Sequence, residues 1–230
     1  MYKLIVLIYL FFVIGFTQDD YKAKRKKMVE TQLIRRGITD QSTLESMVKV
    51  PRHRFVPPKI VNYAYNDSPL QIGYGQTISQ PYIVAFMTEI LQLDKNSIVL
   101  EVGTGSGYQA AVLAEIVDSV YTIEIIKELG IAADKRLKNL GYKNITVKLA
   151  DGYYGWQDHK PFDAIIVTAA AEYIPPPLIK QLKEGGKMII PVGSPFLTQQ
   201  LLLVEKKNGK TRTTNLMFVR FVPFTRKDGN

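Results

Sequence analysis

The sequence contains no cysteine and only two histidines among its 230 residues. Without cysteine the chain cannot form a disulfide, a thiolate zinc site or a thiol nucleophile. Neither His53 nor His159 has metal-ligand spacing to a partner, so we expect both to be structural or surface residues and expect no metal site. The sequence also lacks low-complexity tracts and internal repeats. Its 22% charged and 46% hydrophobic residues are typical of one globular domain with an extension.

Long hydrophobic runs are also scarce, and the one that occurs lies at the N-terminus. Residues 4–16 are almost entirely apolar, which resembles the core of a secretory signal but is short for a membrane span. Cations follow this run, and the positive-inside rule then favours a cytoplasmic body. We predict a cytoplasmic protein. An exported protein, a protein with membrane contact only through residues 4–16, and a misplaced start codon remain alternatives.

The formal net charge of +9 would suit a nucleic-acid partner, because basic patches bind phosphates through counterion release. Five of the cations, however, lie in one short basic segment at residues 22–27, and the others are scattered. We interpret that segment as a solvated surface and expect no nucleic acid as partner.

The chain changes character near residue 80. Residues 1–18 form a hydrophobic segment, residues 19–80 a helical and loop extension, and residues 81–230 a domain in which strand and helix patterns alternate. Strands are predicted at 97–102, 119–123, 146–149, 164–168 and 187–191, and helices at 82–91, 107–117, 127–140 and 177–182. This alternation predicts an α/β fold, with a mostly parallel sheet and helices on both faces.

Two further segments depart from the alternation. The pair Asn208-Gly209 between residues 200–205 and 216–222 predicts a C-terminal antiparallel hairpin. The stretch 62–81 has no regular period, and we predict a long functional loop there.

The strand at 97–102 runs into three alternating glycines: Gly103, Gly105 and Gly107. Glycine permits the tight turn and lets a ligand approach the backbone, and the N–H groups of the next helix point toward that ligand. Tyr108 stands where a dinucleotide fingerprint needs its third glycine, and the Lys-Ser or Lys-Thr pair of a phosphate loop is missing. With Glu101 before the glycines, the pattern resembles the first motif of S-adenosylmethionine-dependent methyltransferases.

Acidic residues follow two more predicted strands. Glu124 ends the strand VYTIE, where its carboxylate can accept hydrogen bonds from ribose hydroxyls. Asp151 and Gly152 follow TVKLA, where a side chain can reach an adenine edge. Ligands of open α/β sheets bind beyond the carboxyl ends of the strands. Together with the glycine turn, these acids predict S-adenosyl-L-methionine as the bound donor.

Several segments together resemble the protein-L-isoaspartate (D-aspartate) O-methyltransferase family. They are VPRHRFVP, AYNDSPLQIGYGQTISQPYIVAFMTEIL, VLEVGTGSGYQAAVLA, DGYYGW, PFDAIIVTAAA and FVPF, within residues 28–225. The resemblance implies a Rossmann-like methyltransferase fold, with residues 81–230 as the methyltransferase domain and residues 19–80 on the substrate side. It implies methyl transfer to the α-carboxyl of L-isoaspartyl residues in damaged proteins and peptides, with D-aspartyl acceptors left open. The ester would then close to a succinimide that can reopen to aspartate. We expect a monomer.

The resemblance also implies site residues. Ser79 falls on the serine that the family uses in its active site, and we expect its hydroxyl to orient the acceptor carboxylate. A structural alternative, compatible with that role, is that Ser79 caps the helix that follows. The segment 71–81 is expected to close over the donor. The predicted donor-binding residues are Thr77, Ile78, Gln80, Glu101, Gly103, Gly105, Gly107, Glu124, Asp151, Gly152 and Thr225.

Three other functions compete with this interpretation. A nucleic-acid methyltransferase fits the charge, but three alanines follow the strand AIIVT where amino-methylating DNA enzymes carry Asn/Asp-Pro-Pro-aromatic. A methyltransferase acting on a small molecule stays open. A donor-binding fold without catalysis is the third alternative, and the presence of Ser79 and Glu124 argues against it.

Overall fold

The computed structural model describes residues 20–194 and 196–226. The apolar segment at 4–16 lies outside these residues. Within them, no helix is long and apolar enough to cross a membrane, and no group of three or more acidic or histidine side chains is arranged to hold a metal ion.

The N-terminal part is helical and then irregular. Helix α1 (residues 20–28) continues through a π turn at Val29–Leu33 and ends at Gly37, which has a φ of 90°. Helix α2 (Gln41–Lys49) begins at Asp40, whose carboxylate caps it by accepting a 2.7 Å hydrogen bond from the Thr43 N–H.

A short antiparallel hairpin follows, formed by β1 (Leu70–Gly73) and β2 (Gln76–Ile78). Tyr74 and Gly75 make its two-residue turn with φ values of 54° and 70°, as a type I′ turn requires. The prediction of an irregular loop over 62–81 is therefore wrong for residues 70–78. Strands of four and three residues are too short to display a period in the sequence.

The remaining chain forms a seven-stranded sheet with strand order β5-β4-β3-β6-β7-β8-β9. Its strands are β3 (Ile98–Val102), β4 (Ser119–Glu124), β5 (Ile145–Leu149), β6 (Phe162–Val167), β7 (Leu182–Val192), β8 (Gln199–Lys207) and β9 (Lys210–Val219). The intervening helices are α3 (Pro81–Ile90), α4 (Tyr108–Ala114), α5 (Lys127–Asn139) and α6 (Pro176–Gln181). Strands β3 to β7 pair in parallel and β8 and β9 pair antiparallel. The predicted α/β fold with its C-terminal hairpin is confirmed.

The predicted boundaries of that hairpin need one correction. Asn208 and Gly209 form its turn, with φ values of 53° and 70°. The second strand, however, runs over Lys210–Val219 instead of 216–222. Residues 211–215 are exposed and polar, and they are strand only because β8 supplies hydrogen-bond partners to this edge of the sheet.

Apolar side chains fill both faces of the sheet. On β3, Val99 packs in the cluster that contains α3 and α4, whereas Leu100 packs in the opposite cluster with Trp156 and Leu178. This alternation follows from the two-residue period of a strand. The N-terminal part packs its apolar residues against α3, α4 and α5. It thereby holds the segment 70–80 beside the glycine turn.

Candidate active site

A cavity opens at the carboxyl ends of β3, β4 and β6, and we call it the donor cavity. Counted with its open mouth, it has a volume of about 550 Å³. Its walls are Gln76, Thr77, Val102, Gly103, Gly105, Ile123–Ile126, Gly152, Thr168, Ala169 and Val222–Thr225.

The glycine turn forms the floor of this cavity. Gly103 and Gly105 have φ values of 98° and 51°, which residues other than glycine rarely adopt. A Cβ atom on Gly103 would also collide with the Thr168 hydroxyl. Gly107 plays a different part, because it begins α4 and a Cβ there would meet Leu137 at 3.2 Å. It does not line the cavity.

Glu124 fixes the end of β4 to the glycine turn. Its side chain is buried, and its two carboxylate oxygens accept hydrogen bonds from the N–H groups of Gly105 (2.7 Å) and Ile126 (2.9 Å). Carboxylate oxygens accept more than one hydrogen bond each. Glu124 lines the donor cavity, and its carboxylate can still accept hydrogen bonds from ribose hydroxyls there.

Glu101 lies behind the turn. It is fully buried and lines a smaller cavity next to Ser79, outside the donor cavity. One carboxyl oxygen is 2.5 Å from the Thr122 hydroxyl, and the other has no hydrogen-bond partner among the described residues. Burial raises the pKa of Glu101 to about 8, so the group is mainly protonated at neutral pH.

The C-terminal segment closes one side of the donor cavity through Val222–Thr225. Phe224 is held by a 2.9 Å backbone hydrogen bond to the Ala170 carbonyl. Arg226 then pairs with the buried carboxylate of Asp151 at 2.8 Å, and its guanidinium lies 3.8 Å from the Tyr153 ring centre. Of the residues predicted to bind the donor here, Gly152 and Thr225 line the cavity, whereas Asp151 is not among its lining residues and bonds to Arg226.

Two cavities share Thr77 and Thr168 with the donor cavity. The smaller one is lined by Thr77–Ser79, Glu101 and the glycine turn. The larger one, which we call the acceptor cavity, has a volume of about 830 Å³ with its mouth. Its walls are Arg36, Pro69, Thr77, Ser79, Gln80, Ile83, Thr168 and Met217–Phe221. Thr77 and Thr168 line all three cavities, so donor and acceptor spaces meet at these two side chains.

Ser79 faces the acceptor side. Its carbonyl accepts a 2.8 Å hydrogen bond from the buried guanidinium of Arg52, and its hydroxyl makes no hydrogen bond within the described part of the chain. The prediction that Ser79 caps α3 is wrong, because Gln80 is the N-cap and no side chain bonds to the helix start. The hydroxyl is therefore available to a ligand.

The neighbours of Ser79 differ in position. Ile78 is buried and lines the smaller cavity. Gln80 lines the acceptor cavity, and its amide donates a 2.8 Å hydrogen bond to the carboxylate of Asp67. Of the four residues 77–80, Thr77 alone lines the donor cavity.

Sequence reasoning missed Thr168 and Arg226. Thr168 directly follows β6, and its hydroxyl donates a 2.7 Å hydrogen bond to the Gly103 carbonyl. The strand-end rule that selected Glu124 applied to Thr168 as well. Arg226 carried no such signal, because its partner Asp151 lies 75 residues away in the chain.

The parallel sheet, the glycine turn and the carboxylate at the end of the next strand define the class of Rossmann-like S-adenosylmethionine-dependent methyltransferases. A family model described as Protein-L-isoaspartate(D-aspartate) O-methyltransferase matches residues 23–229. The chain belongs to this family.

Individual relatives agree with the family model. The chain is 56% identical over 222 residues to "Protein-L-isoaspartate O-methyltransferase 2" of Syntrophobacter fumaroxidans, an alignment covering 92% of this chain and 90% of the relative. It is 55% identical over 225 residues to a protein-L-isoaspartate O-methyltransferase of Opitutus terrae, covering 96% and 97%.

Two solved structures resemble the fold closely. One protein-L-isoaspartate O-methyltransferase superposes with a TM-score of 0.82 at 30% identity, covering 90% of this chain and 67% of that one. A structure from Plasmodium falciparum, described as a protein of the same family in complex with S-adenosyl-L-homocysteine, has a TM-score of 0.77 at 30% identity. That match covers 87% of this chain and 98% of the other.

Proposed function

We propose that this protein is a repair methyltransferase that transfers a methyl group from S-adenosyl-L-methionine to the α-carboxyl of L-isoaspartyl residues in damaged proteins and peptides. One observation carries the proposal: the donor and acceptor cavities meet at Thr77 and Thr168, beside Ser79. A donor and an acceptor can therefore approach each other from two sides. Membership of the family supports this function.

The residues of the donor cavity fit S-adenosylmethionine. Gly103 and Gly105 leave space for a ligand against the backbone, and Glu124 offers a carboxylate to a ribose. When bound, the donor supplies a sulfonium-borne methyl group that a carboxylate oxygen can accept. The relative from Plasmodium falciparum holds the demethylated form of the same molecule, which supports the assignment.

The acceptor needs little acid–base help. A carboxylate with a pKa of about 4 is already ionised at neutral pH. The Ser79 hydroxyl is free to donate a hydrogen bond to one acceptor oxygen, which leaves the other oxygen to face the donor cavity. Ile78 and Ile83 provide apolar surface beside it. Such positioning can contribute roughly 7–11 kcal/mol.

We also propose that residues 19–80 are the substrate-side extension of a methyltransferase domain at 81–230. Support comes from Arg36, Pro69 and Ser79, which lie in the extension and line the acceptor cavity. Deletion of the extension should abolish methylation of isoaspartyl peptides. Both parts share one apolar cluster, so the deletion also removes part of the core and affects folding. Point variants such as Ser79→Ala are therefore tested as well.

We further propose that the protein is cytoplasmic, since the cations at residues 22–27 favour retention of the body on the cytoplasmic side. We also propose that it is a monomer. Reporter fusions that are active in only one compartment test the location. Light scattering on the purified protein tests the monomer, and a stable dimer would contradict it.

The decisive experiment measures labelled methyl transfer from S-adenosylmethionine to three matched peptides that contain isoaspartate, D-aspartate or aspartate at one position. We expect strong labelling of the isoaspartyl peptide and none of the aspartyl peptide. Equal labelling of these two, or no labelling, would contradict the proposal. The D-aspartyl peptide shows whether this second acceptor is used.

A further inference from the structure

Charge is unevenly distributed around the acceptor cavity. Its lining residues include two arginines, Arg36 and Arg220, and no aspartate or glutamate. The other walls combine apolar side chains such as Ile83, Met217 and Phe221 with uncharged polar ones, Thr77, Ser79, Gln80 and Thr168. A cavity of this kind favours an anionic group that arrives together with apolar chain atoms.

The two arginines differ in how their charge is balanced. Arg36 forms a 2.9 Å ion pair with Asp67 and lies 3.5 Å from the Tyr82 ring centre. Arg220 forms no ion pair with any residue in 20–194 or 196–226. Its charge is therefore the one that a ligand of this cavity can neutralise.

Position suggests what that ligand group is. Arg220 directly follows β9 and is exposed, whereas Ser79 in the same cavity is only partly accessible. A carboxylate held by Ser79 therefore lies deeper than a group that meets Arg220 at the exposed rim. We propose that Arg220 recognises an acidic side chain next to the isoaspartyl residue, so that the enzyme prefers damage sites flanked by aspartate or glutamate. This inference rests on the proposed function and deepens it.

The expected preference is modest, because exposed ion pairs contribute little in water. In a competition assay, wild-type enzyme should methylate an isoaspartyl peptide with a neighbouring glutamate about two- to fivefold faster, as kcat/KM, than the matched lysine peptide. Glutamate is placed on either side of the isoaspartyl residue in separate pairs. The preference should shrink as salt screens the charges.

Arg220→Glu should reverse the order of the two peptides. Lys210→Glu makes the same change in net charge at the other end of β9, on a residue that does not line the cavity, and should leave the order unchanged. Equal kcat/KM values for both peptides with wild-type enzyme, or an unchanged order with Arg220→Glu, would overturn the inference while the methylation itself persists. Loss of methylation of every isoaspartyl peptide by the wild type would instead contradict the proposed function.

Discussion

The donor cavity and the acceptor cavity belong to one site but are built in different ways. The donor cavity is held mainly by backbone groups at the ends of neighbouring strands, with Glu124 bonded to the Gly105 N–H at its centre. The acceptor cavity collects side chains from α3, the hairpin β1–β2 and the end of β9. The donor side should therefore depend on main-chain geometry, and the acceptor side on individual side chains.

The largest effect is expected from Gly103→Ala on the donor side. The new methyl group collides with the Thr168 hydroxyl at a φ of 98°, and we expect binding of S-adenosyl-L-homocysteine to weaken about 100-fold. Isothermal titration calorimetry measures this affinity. Gly141→Ala is the matched control, because Gly141 has a φ of 89° and open space around it. Wild-type affinity in Gly103→Ala would show that the backbone does not hold the donor.

On the acceptor side, Ser79→Ala should lower kcat about 30-fold through loss of a hydrogen bond to a charged group. The affinity for S-adenosyl-L-homocysteine should stay unchanged, since Ser79 does not line the donor cavity. Steady-state kinetics with an isoaspartyl peptide gives the result. Ser68→Ala, in the same segment but outside the cavities, serves as control. An unchanged kcat for Ser79→Ala would remove the serine from the mechanism.

A smaller effect is expected for the C-terminal wall. Arg226→Ala removes the ion pair with Asp151 and should raise the KM for S-adenosylmethionine about fivefold while kcat is retained. Arg226→Lys keeps the charge and should recover part of the affinity. Calorimetry with S-adenosyl-L-homocysteine separates binding from turnover. If instead the acceptor KM changed and donor affinity did not, the wall would belong to the acceptor side.

The last prediction concerns the stability of the fold and its dependence on pH, not ligand binding or turnover. Because the pKa of folded Glu101 is raised to about 8 from 4.5, the folded state binds one more proton than the unfolded state between these pH values. Stability from this group is therefore present at low pH and falls as pH rises toward 8, by at most about 1.4 kcal/mol per pH unit. Thermal unfolding from pH 5 to pH 9 should show a flatter profile for Glu101→Gln. If the stability of the wild type and of Glu101→Gln changed with pH in the same way, Glu101 would not be protonated in the folded state.

The same contrast explains which features could be predicted. Gly103, Gly105 and Glu124 were recognisable because each lies at a strand end or in a local motif, and parallel strands bring their carboxyl ends together. The hairpin at residues 70–78 could not be recognised, since its short strands are stabilised by packing on distant helices. The same holds for the residues at 211–215, which are strand only because β8 pairs with them.

The sequence by itself determined the fold class and the donor motif, because these depend on hydrophobic periodicity and on glycines a few residues apart. The family followed from the resemblance of whole segments such as GQTISQP and GTGSGYQ. Only the tertiary structure decided that Thr168 joins the donor and acceptor cavities, that Arg226 ties the last wall to Asp151, and that the Ser79 hydroxyl bonds to none of the residues that the structure describes. These contacts join residues tens of positions apart in the chain. Their distances follow from how the layers pack, and local patterns carry no record of that packing.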